Sequence, residues 1–153
     1  MFKVGIIGPE SSGKSTLARY LANRYHGILE PEYAREYVES KGTTDVSYDE
    51  LCFIAHHQIE NMESISGDVV FFDTELVVTK VWFDYAFGRV PEWLNEAILR
   101  MPMDVYLLTK PDLPWVPDPA RSNGSDAIRH ELFNRYEAEI QTLNIPYYII
   151  EHI

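Results

Sequence analysis

Gly8-Pro9-Glu10-Ser11-Ser12-Gly13-Lys14-Ser15 is the stretch on which the reading of this chain turns. Its two glycines, lysine and serine stand at the spacing of a Walker A loop, and each meets a demand made by a polyphosphate. Gly8 and Gly13 let the backbone turn tightly and come close to phosphate oxygens. Successive N–H groups, through Glu10, Ser11 and Ser12, then converge on the anion. A helix starting near Lys14 adds roughly half a positive charge at its N-terminus. Lys14 brings a full charge to the β- and γ-phosphates, and Ser15 offers a hydroxyl to Mg²⁺. Thr16 completes the nucleotide-binding run and helps to fix the helix start.

Four specified positions in eight can match by chance, so the flanks matter. Residues 2–7 are apolar and β-branched, which reads as a strand buried on both faces. Residues 14–25 carry Leu17, Tyr20, Leu21 and Tyr25 at helical spacing. Strand, glycine loop and helix is the context the mechanism requires, and it implies ATP and Mg²⁺ as cofactors.

Outward from the loop, strand and helix alternate. Residues 27–30 form a short second strand, followed by a helix over 32–40. Ser47 with Glu50 is a capping box opening an amphipathic helix marked by Leu51, Ile54, Ala55, Ile59 and Met62. Gly67-Asp68 is a turn. Residues 69–72 make another buried strand, closed by Asp73. Helices follow over 75–87 and 92–100, a strand over 105–109, a helix over 126–143 and a last strand over 145–151. The segment 110–124 holds four prolines and reads as a loop. This order predicts an α/β fold: a three-layer sandwich of the P-loop NTPase kind, with a mostly parallel sheet of about five strands and helices on both faces. The 153 residues suit one domain, 1–153, in which the proline-rich loop at about 111–124 is a lid rather than a linker.

The net charge of -11 disfavours nucleic acid and anionic membrane as partners, and a small cation is the solute its field would favour. The one cysteine, Cys52, forms no intrachain disulfide and fits a reducing compartment. The opening apolar run is too short for a membrane span and lacks a signal-peptide pattern, so a cytoplasmic enzyme is the expectation.

Asp73 ends a central strand beside the cradle. There a carboxylate holds Mg²⁺ or serves as a general base, the competing role being an N-cap for a helix starting near Thr74. Glu30, Glu32, Arg35 and Glu36 cluster after the second strand. Glu32 and Arg35, at i,i+3 spacing, can orient substrate hydroxyls and phosphate, or else sit on a solvated helix start. In the lid, Arg121 can close on the transferring phosphoryl group and Trp115 can pack on substrate, with Arg129 in reserve. Trp82, Phe83 and Tyr85 offer a stacking face, although such a run is more often core. His56-His57 lacks the partners of a metal site and reads as solvated or core histidine.

Several stretches together resemble the nicotinamide-riboside kinase domain of NadR-type proteins and related small P-loop ATPases. They are GPESSGKSTL at 8–17, EYAREYV at 32–38, FDTELVVT at 72–79, and Pro114-Trp115-Val116 with Asp118 and Arg121; Ile54-Ala55 with Gln58 is a weaker match. The resemblance implies transfer of a phosphoryl group from ATP to the 5′-hydroxyl of a ribonucleoside, giving nicotinamide mononucleotide. It implies that Lys14, Ser15 and Thr16 handle ATP and Mg²⁺, that Asp73, Glu32 and Arg35 face the riboside, and that Arg121 belongs to the lid. Glu75 stands where the family usually carries Asp, and Pro119 where it usually carries Gly. The alternatives are a kinase for another small acceptor, or an ATP-binding switch that hydrolyses slowly and acts through a protein partner.

Overall fold

The computed structural model describes residues 1–9, 12–42, 45–111 and 126–151. Its elements run β1 (Phe2–Ile7), α1 (Lys14–Arg24), β2 (Ile28–Glu30), α2 (Tyr33–Lys41), α3 (Tyr48–Ser64), β3 (Val69–Asp73), α4 (Leu76–Phe87), α5 (Glu92–Arg100), β4 (Val105–Thr109), α6 (Asp126–Leu143) and β5 (Tyr147–Ile150). The five strands form one sheet in the order β2-β3-β1-β4-β5. Every pairing is parallel. The α/β fold expected from the sequence is thus the one observed.

The strands read as continuous apolar runs because both faces of the sheet are covered. Successive side chains point to opposite faces. Val4, Ile6 and Phe71 pack with Ala18 and Ala22 of α1 on one face. Ile7, Val70, Phe72, Tyr106 and Leu108 belong to the larger core on the other, with Leu51 and Ile54 of α3, Leu76 and Val77 of α4 and Ile140 of α6. Fully burying a side chain such as Phe72 stabilises by about 1.5–3 kcal/mol, so this face carries most of the folding energy.

Two helix starts show how local chemistry sets the boundaries. Before α3, Ser47 Oγ accepts from the Glu50 N–H at 3.1 Å, and Glu50 Oε1 accepts from the Ser47 N–H at 3.1 Å. This is the capping box expected from the sequence. Glu50 also accepts from Tyr37 OH at 2.8 Å and pairs with Lys41 at 2.6 Å, which ties the end of α2 to the start of α3. Chiefly through Lys41, these partners hold the Glu50 carboxyl at a pKa of about 2. Before α4, Glu75 is the N-cap, accepting from the Val77 N–H at 2.9 Å. The N-cap alternative for Asp73 is therefore corrected: Asp73 is still in the strand, and the chain needs Thr74 to turn before the helix can begin.

Candidate active site

The sheet register builds the site. Ile6 lies beside Asp73 on β3, and Ile7 beside Leu108 on β4. The Gly8 loop therefore leaves the sheet where the neighbouring strands end, at Asp73 on one side and Thr109 on the other. Ligands of open α/β sheets bind at such carboxyl ends, where the order of strands switches direction about β1.

Gly8 and Pro9 are buried. A Cβ on Gly8 would run into Thr109 and the Ser12 hydroxyl, so only glycine lets the loop pass this close to β4. Ser12 Oγ donates to Pro9 O at 2.6 Å and lies 2.6 Å from Thr109 Oγ1. A serine hydroxyl has one proton, and here it goes to Pro9; Thr109 must then donate to Ser12. This pair of hydroxyls clamps the loop to the sheet. Gly13 takes the left-handed conformation, φ 82°, as the N-cap of α1. Gly13 brings no side chain to cap this helix and no acid lies in its first turn, which suits an anion at its N-terminus. Lys14 is 5% exposed, Ser15 half-buried and Thr16 exposed. Glu10 and Ser11 lie outside the described residues.

Asp73 is buried at the tip of β3. Thr74, next in sequence, has φ 72°. That conformation is rare for a β-branched residue and costs about 1–3 kcal/mol, a strain that typically accompanies function. Its N–H donates to Ile6 O at 2.9 Å, fixing it against β1. Behind it Glu75 is 4% exposed. Burial raises its carboxyl to about 7, against the opposing pull of the Val77 N–H and the Tyr106 hydroxyl. Tyr106, also buried, is driven well above the ordinary tyrosine range by burial and by Glu75.

Beyond Asp73 a cleft opens between the end of β2, the start of α2, α3 and the β3–α4 turn. Glu30, Tyr33, Gln58, Asn61, Thr74 and Glu75 are among its walls. Glu32 is buried at the N-cap of α2, yet its side chain makes no capping hydrogen bond. Arg35, a turn further on, pairs with Glu39 at 3.2 Å and is 38% exposed. Burial raises the Glu30 carboxyl, while His57 and a hydrogen bond from Asn61 pull it down.

Trp82 is half-buried and packs against the main core, and Phe83 is fully buried within it. Arg129 is buried on α6. Trp115 and Arg121, with the lid, lie outside the described residues. His56 and His57 each stack on an aromatic ring, Trp93 at 4.0 Å and Tyr33 at 3.7 Å between centroids. Among the described residues no three His, Cys, Asp or Glu gather as a metal cage. Also among them, no helix is long and apolar enough to cross a membrane.

Thr109, Thr74 and Tyr106 were not singled out from the sequence. Thr109 had a signal, since it is polar and ends a core strand. Thr74 and Tyr106 had none, because their roles come from register and backbone conformation.

With this geometry in view, comparison with known proteins is informative. A family model described as AAA domain (AAA_28) matches residues 3–152. Two curated relatives are each described as trifunctional NAD biosynthesis/regulator protein NadR. The Escherichia coli K12 protein is 32% identical over 154 residues, covering 97% of this chain and 38% of the relative. The Salmonella typhimurium LT2 protein is 31% identical over 150 residues, covering 94% and 37%. This chain thus spans less than two fifths of their length. Among solved structures, a NadR protein in complex with NR superposes with a TM-score of 0.78 at 26% identity, covering 97% of this chain and 43% of that one. Thymidylate kinase from Ehrlichia chaffeensis shares the fold, with a TM-score of 0.67 at 16% identity, covering 97% and 91%. The resemblance to NadR-type proteins read from the sequence is borne out.

Proposed function

Because this chain belongs to the AAA-domain family matched over residues 3–152, we propose that it is an ATP-dependent kinase for the 5′-hydroxyl of a nucleoside, with nicotinamide riboside the preferred acceptor. The observation that carries this reading is an adjacency. A phosphate cradle with a buried lysine stands one strand away from Asp73, and a small cleft with polar side chains among its walls opens beyond. A bare ATPase needs the first two elements; a kinase also needs room for an acceptor. The similarity to NadR proteins, one of them in complex with NR, supports the choice of riboside.

In this account the Gly8–Ser15 loop and Lys14 hold the triphosphate, and the N-terminus of α1 faces its charge. Ser15 and Asp73 would hold Mg²⁺. One hydroxyl and one carboxylate suit an ion that keeps several waters and otherwise binds phosphate. When bound, Mg²⁺ supplies charge neutralisation on the phosphate oxygens. Glu32 and Arg35 orient the ribose. The acceptor oxygen attacks the γ-phosphorus, a new P–O bond forms as the bond to ADP breaks, and the hydroxyl proton leaves to a carboxylate of the site, a role open to Asp73 where water stands between it and Mg²⁺. Arg121 of the lid stabilises charge on the transferring group, and Trp115 and Trp82 offer apolar surface to the acceptor side. Positioning and charge stabilisation carry such a reaction, since little covalent work falls to the protein.

ADP release measured with a panel of nucleosides tests the proposal. Release above the ATP blank should require a nucleoside and should vanish in Lys14→Ala. A panel giving no stimulation by any nucleoside would overturn it.

A further inference from the structure

Tyr106 on β4 and Phe72 on β3 flank Gly5 of β1 in the sheet register. Residues in such a row share one face of the sheet. A Cβ on Gly5 would stand 2.8 Å from Cδ1 and Cε1 of Tyr106. The ring therefore crosses β1 in the gap that the glycine leaves, and a side chain at position 5 would fill that gap. Crossing β1 carries the Tyr106 hydroxyl to Glu75, just past the end of β3, where it donates to the carboxyl. Both side chains are buried. The same carboxyl accepts from the Val77 N–H at 2.9 Å. Glu75 is thus gripped by α4 on one side and by β4 on the other.

Packing and capping alone call for neither side chain. A phenylalanine would fill the place of Tyr106 with no hydroxyl to satisfy, and a serine, threonine or aspartate would cap α4. Burying a phenol and a carboxyl costs free energy that one hydrogen bond offsets only in part. What a satisfied buried pair does is fix a single conformation. Here that conformation is the turn at Thr74, whose φ of 72° is strained for a β-branched residue. The turn is pinned on two sides, by its own N–H on Ile6 O at 2.9 Å and by Glu75 on Tyr106. Asp73 immediately precedes it, beside Ile6, so the direction of its carboxyl follows from the turn. β4 also carries Thr109, which bonds Ser12 of the phosphate loop. One strand braces both halves of the site, the loop through Thr109 and the Asp73 turn through Tyr106.

We propose that Tyr106, acting through Glu75, is a positioning residue for Asp73. The pair holds the β3–α4 turn so that the Asp73 carboxylate faces the metal on the bound triphosphate, and position 5 is glycine so that the pair can form. The inference rests on the reading of Asp73 as a Mg²⁺ ligand and goes beyond it. The support for that carboxylate comes from β4, a strand that β1 separates from β3. Groups that orient a metal ligand tune the metal's affinity without touching it.

The test is ATP binding by calorimetry, with excess Mg²⁺ and again with EDTA. The ratio of the two affinities is the gain due to the metal. Asp73→Asn should lose most of that gain. Tyr106→Phe keeps the ring over Gly5 and removes only the hydroxyl. It should cut the gain about tenfold, as loss of a group that orients a metal ligand does, and leave the affinity in EDTA unchanged. In the Asp73→Asn background the same change should have no further effect, because the carboxylate it acts through is gone. Gly5→Ala displaces the ring while the hydroxyl stays on the chain, and it should reproduce the loss. Tyr147→Phe is the control. Tyr147 stands beside Tyr106 in the register, and its hydroxyl donates to Glu137 Oε2 at 2.8 Å. Its removal should lower the urea midpoint and leave the metal gain alone. An undiminished gain in Tyr106→Phe, or the same loss with and without Asp73, would overturn the proposal. So would a wild type whose ATP affinity ignores Mg²⁺. Binding needs no acceptor, so a chain that passes these tests yet phosphorylates no nucleoside refutes the kinase reading and upholds this one.

Discussion

Replacing Glu75 by glutamine should change how stability depends on pH. Glu75 is 4% exposed, and burial raises its carboxyl from 4.5 to about 7. The fold thus favours the protonated form. Between these two values the folded state binds more protons than the unfolded state, so the stability tied to Glu75 is greatest below pH 4.5 and is lost as pH rises through about 7. The full shift corresponds to about 3 kcal/mol, most of which falls between about pH 5 and pH 8. That is a large share of the roughly 5–15 kcal/mol typical of a domain. The amide of the variant would keep an oxygen for the Val77 N–H and so preserve the cap of α4. Urea unfolding of wild type and Glu75→Gln at several pH values across this window, with m compared to confirm a common denatured state, isolates the carboxyl. The stability difference between the two proteins should move by about 2–3 kcal/mol in favour of the variant as pH rises. Parallel curves would refute the reasoning, because they would mean that Glu75 does not take up a proton on folding.

Other outcomes follow from the same packing. Gly5→Ala places a Cβ 2.8 Å from Tyr106 ring carbons and 3.1 Å from Met103 Cγ; overpacking of this kind should cost about 1–3 kcal/mol, read as a lower urea midpoint. Thr109→Val keeps the shape but removes the hydroxyl that bonds Ser12. It should lower stability by about 1 kcal/mol and raise the KM for ATP, since the loop loses its clamp. Ser47→Ala breaks the capping box of α3. Its unfolding free energy should fall by about 1 kcal/mol with no change in the KM for ATP.

Most of the fold was legible in the sequence because its rules are local or periodic. The apolar run at residues 2–7, the glycines at 8 and 13, and the Ser47–Glu50 box each act within a few residues, and the alternation of strand and helix leaves little topological freedom. The cradle was legible for the same reason. What stayed hidden depends on register. Thr109 reaches Ser12 across 97 residues, and Tyr106 on β4 meets Glu75, just past β3, although β1 lies between those two strands in the sheet. The N-cap alternative considered for Asp73 falls to Glu75 because Thr74 takes a left-handed turn that its side chain disfavours, and no propensity announces that. The cleft walls come from β2, α2, α3 and the β3–α4 turn, which only the folded chain brings together.

The fate of the γ-phosphate tests the central claim most directly. Wild-type protein is given γ-labelled ATP, Mg²⁺ and nicotinamide riboside, and the labelled products are separated. The account predicts label in the 5′-monophosphate of the riboside, in step with ADP, and none of this product in Lys14→Ala. Label recovered only as inorganic phosphate, at a rate indifferent to the riboside, would contradict it and mark the cradle as that of an ATP-hydrolysing switch.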